Sequence, residues 1–211
     1  MIIFMEYAFF NRLEARLRDP LPGQEAQFKL AHKVRQQPAD PGPDARIASV
    51  LALFYPAANN WNIALIQRVA MERDRHSGQI SFPGGKQEPG DPSLAYTALR
   101  EAEEEIGVPP KDVKVLGQLS SLFIPVSNFL VHPFVGQIAY RPDFNLQTTE
   151  VADLVELPLP SLVDPSIIGT TDIPVSSRMT LREVPYFDVN GKVVWGATAM
   201  ILSELKEVLP L

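Results

Sequence analysis

A chain of 211 residues, 45% hydrophobic and 21% charged, has the length and balance of one soluble domain with an ample core. It contains no cysteine, which excludes disulfides, thiolate zinc sites and a cysteine nucleophile. A net charge of −6 counts against general nucleic-acid binding, because a nucleic-acid binder must neutralise many phosphates.

The apolar start Met1-Ile2-Ile3-Phe4-Met5 stops at Glu6, too short for a signal h-region or a membrane span. The expectation is a cytoplasmic protein with no membrane partner. Helical spacing at Phe9, Leu13 and Leu17 predicts a helix over residues 6–18, broken by Pro20 and Pro22, with a second helix over 24–36. The proline-rich stretch 38–43 reads as a boundary between an N-terminal helical extension (1–37) and a main domain (45–211). Residues 47–55 and 63–69 read as strands joined by the turn-prone Ala57-Ala58-Asn59-Asn60. A helix follows the glycine turn Pro83-Gly84-Gly85, and strand-like stretches recur at 113–119, 129–138, 151–157 and 179–187. Asn190-Gly191 then makes a hairpin to Val193-Val194-Trp195, and residues 197–208 close the chain as a helix. Strands in runs with helices between and after them predict an α/β fold, a mixed sheet sandwiched by helices.

The helix after the glycine turn ends Arg100-Glu101-Ala102-Glu103-Glu104-Glu105-Ile106-Gly107. At about 100° per residue, Glu101, Glu104 and Glu105 share one narrow wedge, and Glu103 falls on another face. Ala95, Ala98, Leu99, Ala102 and Ile106 form an adjoining apolar stripe that anchors the helix on a core. Arg100 stands i,i+4 from Glu104 and can orient it. Asp91 suits the N-cap, Pro92 the first turn and Gly107 the left-handed C′ position. Like charges on one helix face repel, and oxygen-only donors beside a bare glycine backbone suit a hard cation, Mg²⁺ or Mn²⁺, that bridges carboxylates to phosphates. A solvated acidic face is the plainer reading of the same residues.

These residues resemble a Nudix hydrolase, whose box reads G-x5-E-x7-R-E-U-x-E-E-x-G-U with U aliphatic. Arg100, Glu101, Ala102, Glu104, Glu105, Gly107 and Val108 match its second half. The first half departs from it. Asp91 stands where the box has its first glutamate, and eight residues rather than seven separate it from Arg100. Glu88 competes with Asp91 for that role. Ser81-Phe82-Pro83-Gly84-Gly85-Lys86, Glu88, Asp91 and Thr97 to Ala102 are similar to the coenzyme A pyrophosphatase branch of the family. That branch also carries an arginine four residues before the equivalent of Gly78; here Asp74 occupies the position, flanked by Arg73 and Arg75. Trp195 to Leu202 also resembles the branch's closing strand-to-helix segment.

The resemblance implies a Nudix-type α/β/α sandwich and metal-dependent hydrolysis of the diphosphate of coenzyme A or a derivative, giving 4′-phosphopantetheine and adenosine 3′,5′-bisphosphate. It implies Mg²⁺ or Mn²⁺ held by Glu101, Glu104, Glu105 and the Gly84 carbonyl. Glu104, Glu105 and Glu150 are candidates for catalysis, with Arg100 orienting them. Arg68, Arg73, Arg75, Gly85 and Lys86 are candidates for substrate binding, with His76 nearby. The other readings are hydrolysis of another nucleoside diphosphate such as NADH or ADP-ribose, and a Nudix-like module that binds a nucleotide without cleaving it.

Overall fold

The structure, a computed structural model, describes residues 2–35, 39–57, 59–70, 78–176 and 179–210. In chain order, α1 (Ile2–Arg16) and α2 (Gly23–Gln27) lead through two short 3-10 turns, Phe28–Leu30 and Lys33–Arg35, to the hairpin strands β1 (Arg46–Ala57) and β2 (Asn60–Arg68). Next come β3 (Ile80–Ser81), β4 (Gly84–Lys86), α3 (Leu94–Ile106), β5 (Lys114–Gln118), β6 (Leu122–Ile124) and β7 (Phe129–Gln137). The chain finishes with β8 (Val151–Pro158), α4 (Leu159–Val163), β9 (Ile168–Ser176), β10 (Met179–Val189), β11 (Lys192–Trp195) and α5 (Gly196–Val208).

Eight strands make one mixed sheet whose main path is β3-β2-β1-β7-β5, with β4 on β1, β6 on β7 and β8 on β2. Among the described residues only its β1–β7 pair is parallel, running from Arg46 beside Phe129 to Phe54 beside Gln137. β9, β10 and β11 form a separate antiparallel sheet. β1 is covered on both faces, which explains its unbroken apolar run Val50 to Tyr55. Leu51, Leu53 and Tyr55 pack with Ala98, Ala102 and Ile106 of α3. Ala52 and Phe54 point the other way, into a cluster with Phe10 and Leu13 of α1 and Met200, Leu202 and Leu205 of α5. The result is the expected α/β sandwich, helices on both faces of a mixed sheet.

Two expectations need correction. The second N-terminal helix breaks after Gln27, because the chain turns to bury Leu30 and to aim the Gln27 amide at the buried Glu204 carboxylate, 2.8 Å away. Tertiary contacts override local propensity there. Strand β9 goes unpredicted because Gly169 and Pro174 punctuate its sequence and Pro165 stands just before it, while the ladder to β10 supplies its order.

The N-terminal helix shares the core of the sheet. Leu13 is fully buried, with Phe10 edge-on to Phe54 and Trp61 at 5.7 and 4.4 Å between ring centroids. Leu13→Ala is expected to cost about 2–5 kcal/mol, the usual range for emptying a closed core site. Urea unfolding measures it, and a loss below about 1 kcal/mol would mean that α1 contributes little to the core.

Candidate active site

The site lies where α3 crosses β4. β4 pairs with β1 through Ala48–Lys86, Ser49–Gly85 and Val50–Gly84, and the carbonyl of Pro83 accepts the Leu51 N–H. This brings two glycines against the carboxylates of α3. The Gly84 N–H donates to Glu105 Oε2 at 2.8 Å. A Cβ on Gly85 would stand 2.5 Å from the carboxyl atoms of Glu101, so any side chain there would push that carboxylate aside.

α3 is capped differently from the expectation. Ser93 is the N-cap, its hydroxyl accepting the Tyr96 N–H, while Gly107 closes the helix in the left-handed region at φ 72° as predicted. Asp91 is withdrawn from capping by Arg100. The guanidinium grips Asp91 with Nε and Nη2, both at 3.1 Å, and the same carboxylate accepts the Glu88 N–H and the Thr97 hydroxyl. These bonds, the Arg100 grip first, hold the Asp91 carboxyl at about 2. Arg100 also reaches Glu101 at 3.0 Å, Glu104 at 3.1 Å and the Lys86 carbonyl at 3.2 Å, joining helix and glycine turn. Its own pKa rises, Asp91 being the largest cause.

The predicted wedge is therefore split. Glu101 and Glu105 face the glycine turn, whereas Glu104 turns to Arg100 and is 58% exposed. Glu103 is exposed on another face, as its angle requires. Glu105 is only 2% exposed. Burial pushes its carboxyl up to about 7, against the pull of the Gly84 N–H and of Arg68, whose Nη1 lies 3.9 Å from Oε1. Glu101 and Glu150 push it in the same direction as burial. Glu101 is also raised, first by burial. Glu150 reaches this field because its carbonyl accepts the Val69 N–H at 2.8 Å, next to Arg68. Lys86 is exposed at the end of β4. Arg73, Arg75 and His76 lie outside the described residues.

Among the described residues no group of three or more His, Asp or Glu side chains is gathered tightly enough to hold a metal ion. The chemistry of the donors nevertheless fits a hard dication. Both carboxylates, Glu105 buried and Glu101 half-buried, are raised first by burial although an arginine stands near each, and all the donors are oxygens. Sequence spacing missed the Asp91–Thr97–Arg100 linkage, although offsets of six and nine residues place these side chains around the start of one helix.

The raised Glu105 pKa has a stability consequence. Its folded value, about 7, exceeds the ordinary 4.5, so folding takes up a proton between these values and stability falls as pH rises through about 7. Below pH 4.5 the group is protonated in both states and the penalty vanishes. The full penalty is on the order of 3 kcal/mol. Metal-free urea unfolding at pH 5 and pH 8 should show Glu105→Gln gaining on the wild type at the higher pH. A pH-independent difference between the two proteins would contradict the assigned shift.

A helix-covered mixed sheet carrying glycine-backed carboxylates beside α3 is an α/β sandwich with an acidic site on one helix. The NUDIX domain family model matches residues 45–166, and the chain belongs to the Nudix hydrolase family. It is 40% identical over 143 residues to a protein of Pectobacterium atrosepticum named an uncharacterized Nudix hydrolase NudL, covering 67% of this chain and 72% of that one. A Yersinia pestis protein of the same name is 38% identical over 144 residues, covering 68% and 70%. Among solved structures, the Nudix hydrolase RenU from M. Smegmatis superposes with a TM-score of 0.55 at 15% identity, covering 79% of this chain and 89% of that one, a likeness of fold. No helix among the described residues is long and apolar enough to cross a membrane.

Proposed function

We propose that the protein hydrolyses the diphosphate of coenzyme A or a derivative, releasing 4′-phosphopantetheine and adenosine 3′,5′-bisphosphate. The observation that carries the hydrolase reading is the seating of Gly84 and Gly85 on the carboxylates of Glu105 and Glu101. Support for coenzyme A comes from the run Ser81 to Lys86 with Thr97 to Ala102, which resembles the coenzyme A pyrophosphatase branch.

Diphosphate hydrolysis needs a water aimed at phosphorus and positive charge over the phosphoryl oxygens. Glu101 and Glu105 would hold Mg²⁺ or Mn²⁺, with Glu104 and the Gly84 carbonyl as further donors, and the cation would supply that positive charge. Arg100 orients the acidic residues and keeps the glycine turn tied to the helix. Glu150, exposed beside Glu101 and the buried Glu105, takes the proton of the attacking water on its carboxylate. Arg68 and Lys86, with Arg73 and Arg75 from the segment upstream, bind the substrate's phosphates, with the bare backbone of Gly85 beside Glu101 as a further contact.

Product analysis with coenzyme A, NADH and ADP-ribose, with and without Mg²⁺, tests the reading. Metal-dependent release of 4′-phosphopantetheine is expected, with lower kcat/KM on the other two. Preferential cleavage of NADH or ADP-ribose would replace coenzyme A as substrate. A ligand recovered intact under all conditions would leave a binding module.

A further inference from the structure

The carbonyls in the last turn of a helix have no partner within it and usually turn to water. In α3 two of them are taken by the connection between β7 and β8. The Gln147 N–H donates to the Glu105 carbonyl at 3.0 Å and the Asn145 N–H to the Ile106 carbonyl at 3.1 Å. The residues alternating with these donors, Phe144 and Leu146, pack their side chains into the helix-facing cluster. The Phe144 ring meets Tyr55 edge-on at 5.1 Å, and the Arg141 guanidinium lies 5.5 Å from it. Tyr55 is fully buried and its hydroxyl donates to Glu156, which makes it a fixed anchor.

The same strap then delivers Glu150. The N–H groups of Glu150 and Val151 both donate to the Gln147 carbonyl, at 2.9 and 2.8 Å, and the Glu150 carbonyl accepts from Val69. The Glu150 side chain is exposed, and none of the described hydrogen bonds or ion pairs fixes its carboxylate. Its place beside Glu101 and Glu105 is therefore set by the backbone that carries it. That backbone is held at one end by the ladder to β2 and at the other by Phe144 on Tyr55.

We propose that Phe144, anchoring a strap that joins the Glu105 carbonyl to Glu150, is a positioning residue for hydrolysis, acting through Glu150 without touching substrate. This rests on the hydrolase reading above and on Glu150 as its base. A misplacement of a reacting group by about 1 Å costs on the order of 100-fold in rate, while binding groups on β4 and β2 stay where they are.

The test combines Phe144→Ala, Phe144→Leu and Leu146→Ala with Glu150→Gln in the full chain. Phe144→Ala should lower kcat by about tenfold or more with KM within about twofold, and Phe144→Leu should restore most of it. In the Glu150→Gln background the same change should cost less than about twofold, the mark of action through that residue. Leu146→Ala gives the same pattern and serves if Phe144→Ala does not fold. Amide hydrogen exchange should rise over 144–151 in Phe144→Ala, with α3 protected up to Glu104. An unchanged kcat, or an equal loss with and without the Glu150 carboxylate, would overturn the proposal. A wild-type protein that cleaves no diphosphate would defeat the hydrolase reading instead, and exchange would still report whether Phe144 holds the strap.

Discussion

Glu105→Gln is expected to lower kcat by about two to three orders of magnitude in a protein that folds at least as well as the wild type. Glutamine keeps the shape and one acceptor oxygen, so the 2.8 Å bond from the Gly84 N–H has a partner. What disappears is a charge in a site only 2% exposed, where electrostatic interactions are weakly screened. The same substitution relieves the cost of ionising that carboxyl above pH 7, so the folded state gains while the reaction loses. This opposition separates a functional carboxylate from a structural one. Steady-state kinetics on the preferred substrate, paired with a urea melt at pH 8, decide it, and near-wild-type turnover would remove Glu105 from the reaction.

Gly84→Ala is expected to damage both folding and activity. Gly84 sits at φ 154°, and a Cβ there would fall 2.3 Å from the Ser49 carbonyl oxygen and 2.6 Å from Val50 Cα. Both neighbours are backbone of β1 and cannot swing aside, so β4 must lift from its ladder. Backbone strain and overpacking together cost about 3 kcal/mol or more. Displacement also carries the Gly84 N–H away from Glu105. Gly78→Ala makes the control, because Gly78 has φ 69° with open space around its Cβ direction, and only the left-handed backbone penalty of about 1 kcal/mol applies. Denaturant midpoints of the two variants should differ clearly. Equal losses would show that the contact with β1 is not what requires glycine.

Much of the architecture was legible because local signals and tertiary demands agree. The apolar stripe Ala98, Ala102 and Ile106 is the buried face of α3, and Gly107 ends the helix where a left-handed residue was needed. The strand-to-helix junction at Trp195 and Gly196 also falls as read. What escaped depended on partners far along the chain. Asp91 has the composition of an N-cap, yet Arg100 claims its carboxylate, and Ser93 caps instead. A helical wheel fixes the direction of a Cα–Cβ bond and not the rotamer beyond it. Glu104 therefore shares the azimuth of Glu101 and Glu105 but ends on Arg100. Glu204 is fully buried in the closing helix, where a glutamate is ordinarily a surface residue, and only the folded chain reveals its donors, the Gly23 and Ser120 N–H groups and the Gln27 amide. The linkage of Glu150 to Arg68 and Glu105 likewise arises from a β-bulge and loop closure that no local pattern announces.

Arg100 grips Asp91 in a chain whose box is longer than the family spacing. The chain has one residue more than the family spacing before the arginine and an acid one methylene shorter, and both guanidinium contacts still close at 3.1 Å. Slack in the loop and reach in the side chain are thus exchangeable coordinates. In this chain the acid that serves the arginine is identified by its bond and not by its offset. The inserted residue here lengthens a tether and leaves the bond at its end intact.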